Sequence, residues 1–226
     1  MLVWRNRLAQ ITHNDKAGGS SPSTSTKNQK MIKVLGEIPK SKFGIAVSGG
    51  IDSMACLDFL LNGKHNPEVI YFNHNTEHGH LAENFVKEYC KEKNLILHIG
   101  RTDITPKSNK EKVWSDLRYE YFSKFDFPII TCHHLDDCVE TYIFSMLRGF
   151  QSVIPYKRGN VIRPFLLNEK VTFENWGKRK KVSFIQDESN FSTDYSRNKI
   201  RHNIVPEALN VNPGLKTVVR KMIKLS

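Results

Sequence analysis

The sequence predicts an α/β fold in which helices cover both faces of a parallel five-stranded sheet. Short apolar runs alternate with longer amphipathic stretches, and each run is apolar along its whole length. Strands of this kind are typical of parallel sheets that are buried on both faces. The predicted strands are residues 43–47, 69–73, 95–99, 127–131 and 182–186.

The stretches between these strands have the spacing of helices. Leu81, Phe85 and Tyr89 follow one another at four-residue intervals, which gives residues 80–93 one apolar face. Further helices are predicted at residues 53–62, 109–124 and 136–148. The C-terminal part has a basic start, a proline and an Asn/Pro/Gly break, so we expect short helices that lie on the sheet domain.

Composition and charge divide the chain into three parts. Residues 1–40 are predicted to be a flexible basic extension, residues 41–190 the main domain, and residues 191–226 a short basic helical appendage. The net charge of +11 lies at the two ends, because seven Lys/Arg accompany two acids in residues 1–40 and eleven accompany four in residues 178–226. This asymmetry fits either a nucleic-acid partner or a solvated basic surface.

The sequence also excludes several classes of protein. No apolar run approaches the roughly 20 residues of a membrane span, and the N-terminus is too polar for a secretory signal, so we expect a cytoplasmic protein that does not bind a membrane. None of the four cysteines forms a C-x-x-C pair, which argues against a disulfide framework or a zinc site. The oligomeric state is not indicated.

The stretch SGGIDS follows a predicted strand and opens a predicted helix. Its glycines allow a tight turn close to a ligand, and the free N–H groups at the start of a helix favour an anion. Its aspartate can hold Mg²⁺. A Walker loop would need a lysine, so this stretch suits a pyrophosphate group held by amides and hydroxyls; a plain glycine turn is the alternative. The predicted nucleotide-binding residues are Ser48, Gly49, Gly50, Ile51, Asp52 and Ser53.

A second stretch, TCHHLDDCVETYIFSMLRG, covers residues 131–149. His133 and His134 come at the end of a predicted strand, beside the expected position of the glycine loop. Asp137 and Glu140 are three residues apart and share one face of the next helix. Such a set can hold Mg²⁺, bind an ammonium group or move a proton. Helix capping by the acids and a structural role for the histidines are the alternatives.

These two stretches carry a resemblance. SGGIDS resembles the pyrophosphate loop of the N-type ATP pyrophosphatases, and the second stretch resembles the motif of the tRNA(Ile)-lysidine synthetase family within that superfamily. The resemblance implies a Rossmann-like fold of the adenine nucleotide alpha hydrolase type. It also implies ATP and Mg²⁺ as cofactors, free lysine as a substrate and isoleucine tRNA with a CAU anticodon as partner. The reaction would attach lysine to C2 of the wobble cytidine through an adenylated base.

The same resemblance assigns roles to residues, including some in the matching segments DLRYEYF, IRPFL and RNKIR. The implied metal ligands are Asp52 and Asp137. The implied catalytic residues are Asp52, Arg118, His133, Asp137 and Glu140. The implied nucleic-acid contacts are Arg148, Arg163, Arg197, Asn198 and Arg201.

The chain departs from the family pattern at several positions. Asn73 replaces an acid, and Trp114 and Ser115 replace an Ala-Arg pair. Typical bacterial members continue into further C-terminal domains, and the resemblance leads us to expect a minimal form without them. Two other functions stay open: a tRNA cytidine thiolase of the same superfamily, disfavoured by the lack of C-x-x-C, and a tRNA- or nucleotide-binding module without catalysis.

Overall fold

Six strands form one mostly parallel sheet in the computed structural model, which describes residues 31–186 and 196–225. The predicted flexible extension therefore lies largely outside the described residues, as does the boundary at residue 190. The strands are β1 (Gly44–Ala46), β2 (Glu68–Asn73), β3 (Leu97–Arg101), β4 (Ile129–Thr131), β5 (Lys157–Arg158) and β6 (Val161–Ile162). The helices are α1 (Ile51–Asn62), α2 (Glu77–Glu92), α3 (Lys110–Phe122), α4 (Leu135–Met146), α5 (Lys170–Lys180), α6 (Ser196–Lys199), α7 (Val205–Val211) and α8 (Leu215–Leu225).

The strand order is β3-β2-β1-β4-β6-β5, and all neighbours are parallel except β5 and β6. The predicted α/β class with a parallel sheet is confirmed. The order reverses at β1, because the chain first adds β2 and β3 on one side and then β4 on the other. Ligands of open α/β sheets bind at such a switch point, at the carboxyl ends of the strands.

The predicted fifth strand at residues 182–186 is wrong, because this segment has no regular structure. The fifth parallel strand is β6, which pairs with β4. Val182 and Ile185 pack against the main core, so burial explains their apolar character. The Ile185 N–H donates to the Gly49 carbonyl oxygen at 2.9 Å, which places the segment over the glycine loop instead of along a strand.

Two apolar layers fix the helices that carry the site. Helix α1 buries Met54, Ala55, Cys56 and Leu57 in the main core beneath the sheet. Helix α4 packs into a second core with the C-terminal helices, formed by Leu135, Cys138, Val139, Ile143, Leu166, Ile200, Leu215, Val219 and Ile223. Both helices start at the carboxyl ends of adjacent strands, so their N-termini lie side by side. No helix among the described residues is long and apolar enough to cross a membrane.

Candidate active site

The glycine loop is held closed by its two serines. The buried Ser53 hydroxyl accepts a hydrogen bond from the Ser48 N–H at 3.1 Å and donates to the Gly50 carbonyl oxygen at 2.9 Å. The two serine hydroxyl oxygens lie 3.2 Å apart. Gly49 has φ +83°, a backbone conformation that glycine adopts without strain. Hydrogen bonds within the loop therefore hold the turn, and α1 starts at its end.

His134 connects this loop to the second predicted stretch, residues 131–149. Its Nε2 atom lies 3.8 Å from Asp52 Oδ2, and its Nδ1 atom lies 3.4 Å from Asp137 Oδ2. The residue also caps α4, because His134 N–H donates to Asp137 Oδ2 and Asp137 N–H donates to His134 Nδ1. Burial opposes a charge on the ring, but the nearby carboxylates outweigh it and raise the pKa of His134. The two predicted stretches therefore form one site.

His133 is the uncharged member of the histidine pair. Its Nδ1 atom lies 3.0 Å from the Thr131 hydroxyl oxygen. Burial, with a smaller contribution from the nearby Arg163 and Arg118, lowers the pKa of His133 to about 4 against the opposing effect of Asp137. The ring is therefore neutral at pH 7.

The three acids of α4 have different partners. The Asp136 carboxylate accepts from the Lys170 N–H at 2.8 Å and pairs with Lys216 at 2.7 Å, so it joins α4 to α5 and α8. Glu140, only 5% exposed, accepts two hydrogen bonds from Arg201. Burial raises the pKa of Glu140, although Arg201 opposes this effect. Asp137 lies between the two, 3.8 Å from the Arg201 guanidinium.

Two arginines without carboxylate partners stand on the other side of the site. Arg163, 2% exposed, donates to the Pro155 carbonyl oxygen and to the Tyr119 hydroxyl, both at 2.7 Å, while its Nε has no hydrogen-bond partner. Burial lowers the pKa of Arg118, and the nearby Arg197 and Arg163 lower it further. Neither Arg118 nor Arg163 forms an ion pair within the described part of the chain. A concentration of buried positive charge of this kind favours an anion.

The other predicted nucleic-acid residues have varied surroundings. Arg148 is exposed, with its guanidinium 4.2 Å above the Phe144 ring. Arg197 is exposed as well and lies 3.7 Å from Glu111. Asn198 is buried, and Arg201 is directed at Glu140. Only Arg148 and Arg197 thus belong to the exposed surface.

Five buried polar atoms have no hydrogen-bond partner in the described part of the chain. They are Asp52 Oδ1, His74 Nδ1, Trp114 Nε1, Thr141 Oγ1 and Arg163 Nε. Such atoms are costly and call for a ligand, an ion or a water. No group of three or more metal-ligand side chains occurs among the described residues. Mg²⁺ is usually held by one or two carboxylates together with substrate phosphates, so the unpartnered Asp52 oxygen and Asp137 fit this ion.

Three residues of this site were not found by sequence reasoning. Ile185 covers the loop, Tyr119 holds Arg163, and Thr131 holds His133. The sequence shows the apolar run around Ile185, but its pattern predicts a strand at residues 182–186. The contacts of Tyr119 and Thr131 depend on residues distant in the chain or on side-chain rotation, and no spacing in the sequence indicates them.

The site combines a strand, a glycine turn at the switch point of a parallel sheet, and a helix whose first turn carries an aspartate. These features are those of a nucleotide-binding α/β protein of the ATP pyrophosphatase class. In agreement, the family model described as PP-loop domain matches residues 23–208. The chain belongs to the PP-loop family, whose domain binds ATP.

Individual relatives show which members of this family the chain resembles. The chain is 32% identical over 197 residues to a tRNA(Ile)-lysidine synthase of Lactiplantibacillus plantarum, covering 78% of this chain and 44% of that protein. It is 29% identical over 195 residues to the tRNA(Ile)-lysidine synthase of Bacteroides thetaiotaomicron, covering 79% of this chain and 46% of that protein. The chain thus spans less than half the length of these curated relatives.

A solved structure supports the fold. A U34-tRNA thiolase from Methanococcus maripaludis superposes with a TM-score of 0.62 at 17% identity, covering 82% of this chain and 71% of that one. At this identity, the likeness concerns the fold alone.

Proposed function

We propose that this protein ligates lysine to C2 of the wobble cytidine of isoleucine tRNA with a CAU anticodon, at the expense of ATP. The proposal is supported by the two lysidine synthase relatives and by one observation above all. His134 lies between Asp52 of the glycine loop and Asp137 of helix α4, so the residues suited to phosphate and those suited to an amine share one site.

ATP would bind with its pyrophosphate moiety at the glycine loop. The start of α1 would supply backbone N–H groups, and the Ser48 hydroxyl, which accepts a hydrogen bond from the Gly50 N–H, lies in the same loop. Asp52 and Asp137 would hold Mg²⁺, and the bound ion would neutralise part of the phosphate charge. Ile185, above Gly49, would limit the access of water to the loop.

In the first step, the C2 oxygen of the cytidine attacks the α-phosphorus. An oxygen–phosphorus bond forms, the bond to pyrophosphate breaks, and the base carries AMP. The negative charge on the reacting phosphate would be stabilised by the buried Arg163 and the partly buried Arg118, which lack carboxylate partners among the described residues. The target base must leave the anticodon stack to reach these residues.

In the second step, the ε-amine of lysine attacks C2 and AMP leaves with the electron pair of the carbon–oxygen bond. The ammonium group of free lysine must first lose a proton. Glu140, whose pKa is raised by burial, would be the better acceptor, because the lowered pKa of His133 makes its neutral ring a weak base. Asp137 offers the negative charge that the ammonium needs. Glu140 contributes through its hydrogen bonds to Arg201, which position the acidic side of the site.

The tRNA would be held by basic residues on the surface. Arg148 and Arg197 are exposed and suited to phosphate contacts, whose strength would fall with added salt. Arg163 and Arg201 are directed inward, so we now propose that they position site residues instead of gripping the tRNA backbone.

The test is a lysine-transfer assay with ATP, Mg²⁺, radiolabelled lysine and the CAU isoleucine tRNA. Label in the tRNA, together with release of AMP and pyrophosphate, is expected. Methionine tRNA, which also has a CAU anticodon, is the specificity control. ATP and tRNA binding without transfer would instead indicate an inert binding module, and incorporation of sulfur from a sulfide donor would indicate a thiolase.

A further inference from the structure

The rings of His74, just after β2, and Trp114, on α3, have no role in the mechanism above. His74 follows β2 directly, and its ring centroid lies 5.2 Å from that of Trp114 on α3, with 31° between the ring planes. Phe72 closes the group from the other side, 5.0 Å from His74 in an edge contact. His74 and Trp114 are both partly exposed, so the ring pair reaches the surface.

Both rings carry a polar atom with no hydrogen-bond partner among the described residues. These atoms are the Trp114 Nε1 donor and the His74 Nδ1 atom, and neither is exposed to solvent. Burial and the nearby Arg118 lower the pKa of His74 to about 4, so the imidazole is neutral at pH 7 and has one acceptor nitrogen. Polar atoms left unpaired in this way cost free energy, and two of them side by side indicate a missing partner.

The ring pair is continuous with the active site. Trp114 and Arg118 are four residues apart on α3 and therefore share one face. The positive charge of Arg118 lowers the pKa of both His74 and His133, so both rings lie within electrostatic range of this residue. Strand β2 is also the immediate neighbour of β1, from which the glycine loop emerges.

We propose that Trp114 and His74 form a binding platform for a nucleobase, a role that rests on the proposed function. The ring face of the base would stack on the indole, as bases do on aromatic side chains in nucleic-acid-binding proteins. The neutral His74 nitrogen would accept a hydrogen bond from the exocyclic amino group that adenine and cytosine both carry.

The base has two sources in this protein, the adenine of ATP and the wobble cytosine of the tRNA. Tryptophan fluorescence separates them, because stacking quenches the indole. We would titrate the full chain with ATP, and separately with an anticodon stem-loop that carries cytidine or an abasic nucleotide at the wobble position. The Trp176→Phe variant is the control, since Trp176 packs beside Phe59 and donates to Asp58.

We expect either ATP or the stem-loop with cytidine to quench the tryptophan fluorescence, and we expect the Trp176→Phe variant to show the same quenching. Trp114→Ala should weaken that ligand about tenfold or more, and Trp114→Phe should restore most of the affinity. Quenching by ATP assigns adenine, and quenching only by the stem-loop with cytidine assigns the wobble base.

Unchanged affinity of Trp114→Ala for both ligands would overturn the platform, even if lysine transfer is observed. Conversely, base-dependent quenching without any lysine transfer would keep the platform and refute the proposed reaction. Loss of fold in Trp114→Ala is detected by circular dichroism, and in that case Trp114→Phe and His74→Ala decide by the same titrations.

Discussion

Arg201 donates two hydrogen bonds to the carboxylate of Glu140, at 2.6 Å from Nε and 3.0 Å from Nη2. The pair joins a π-helical turn, Ile200–Ile204, to the middle of α4. Short π-helical stretches often occur at functional sites. Removing Arg201 leaves the buried Glu140 carboxylate unpaired, so we expect Arg201→Met to lower the free energy of unfolding by about 3 kcal/mol. Glu140→Leu should cost less, because Arg201 is partly exposed and still lies 3.8 Å from Asp137.

The double variant Arg201→Met/Glu140→Leu should cost far less than the sum of the single changes. A double-mutant cycle by urea unfolding measures this coupling. The exposed pair Lys112–Asp116, with a 2.6 Å contact on α3, is the control and should couple by about 1 kcal/mol or less. Additive effects at Arg201 and Glu140 would show that the contact contributes nothing.

Asp52→Asn should reduce pyrophosphate release by about 100-fold or more while leaving the fold intact, because the carboxylate faces the site with one oxygen unpartnered. The measurement is tRNA-dependent pyrophosphate release at saturating ATP. Asp58→Asn is the matched control on the same helix, since Asp58 accepts a hydrogen bond from Trp176 at 2.7 Å and lies outside the site. Equal rates for the two variants would remove Asp52 from the mechanism.

Gly49→Ala should lower the free energy of unfolding by about 1–2 kcal/mol, since φ of +83° is strained for any L-residue. The added Cβ would also lie 3.2 Å from Ile185 Cγ1, so the covering segment would have to move. Gly50→Ala is the control, because its Cβ would meet only the Ser48 hydroxyl at an ordinary 3.5 Å. Urea unfolding without nucleotide checks both variants, and an equal loss for both would contradict the role of Gly49.

The stability of the protein should decrease as the pH falls from about 6.5 to about 4. Burial lowers the pKa of both His74 and His133 to about 4, whereas histidines of the unfolded chain take up protons near 6.5. The unfolded state binds more protons in this interval, so acid favours unfolding there. His74→Phe should make the dependence shallower, because it removes one of the two groups. A slope identical to that of the unchanged protein would refute the assignment.

Much of the fold followed from local patterns. The apolar runs that became β1 to β4 were predicted because strands buried on both faces need apolar residues at every position. The same rule failed at residues 182–186, where burial against the glycine loop produces an apolar run without strand pairing. Strand β6 has two residues, too few for any periodicity to show.

The side chains around the site were harder to predict, because their partners are distant in the chain. Asn73 is an example: it replaces an acid of the family pattern, and its Nδ2 donates to the buried Glu83 carboxylate at 2.8 Å. An aspartate there would bring two carboxylates together. Asn73, Arg101 and Lys87 outweigh the burial of Glu83 and lower its pKa to about 2, so the departure fits its new neighbours.

Arg118 and Arg163 have a consequence for the whole molecule. Arg163 is buried and Arg118 is partly buried, and neither has a carboxylate partner among the described residues, so a phosphate bound there under the proposed function would offset their mutual repulsion. By mass action, the midpoint of thermal unfolding would then rise with the concentration of the bound anion. Under the same proposal, the melting temperature would report the nucleotide concentration of the surrounding solution.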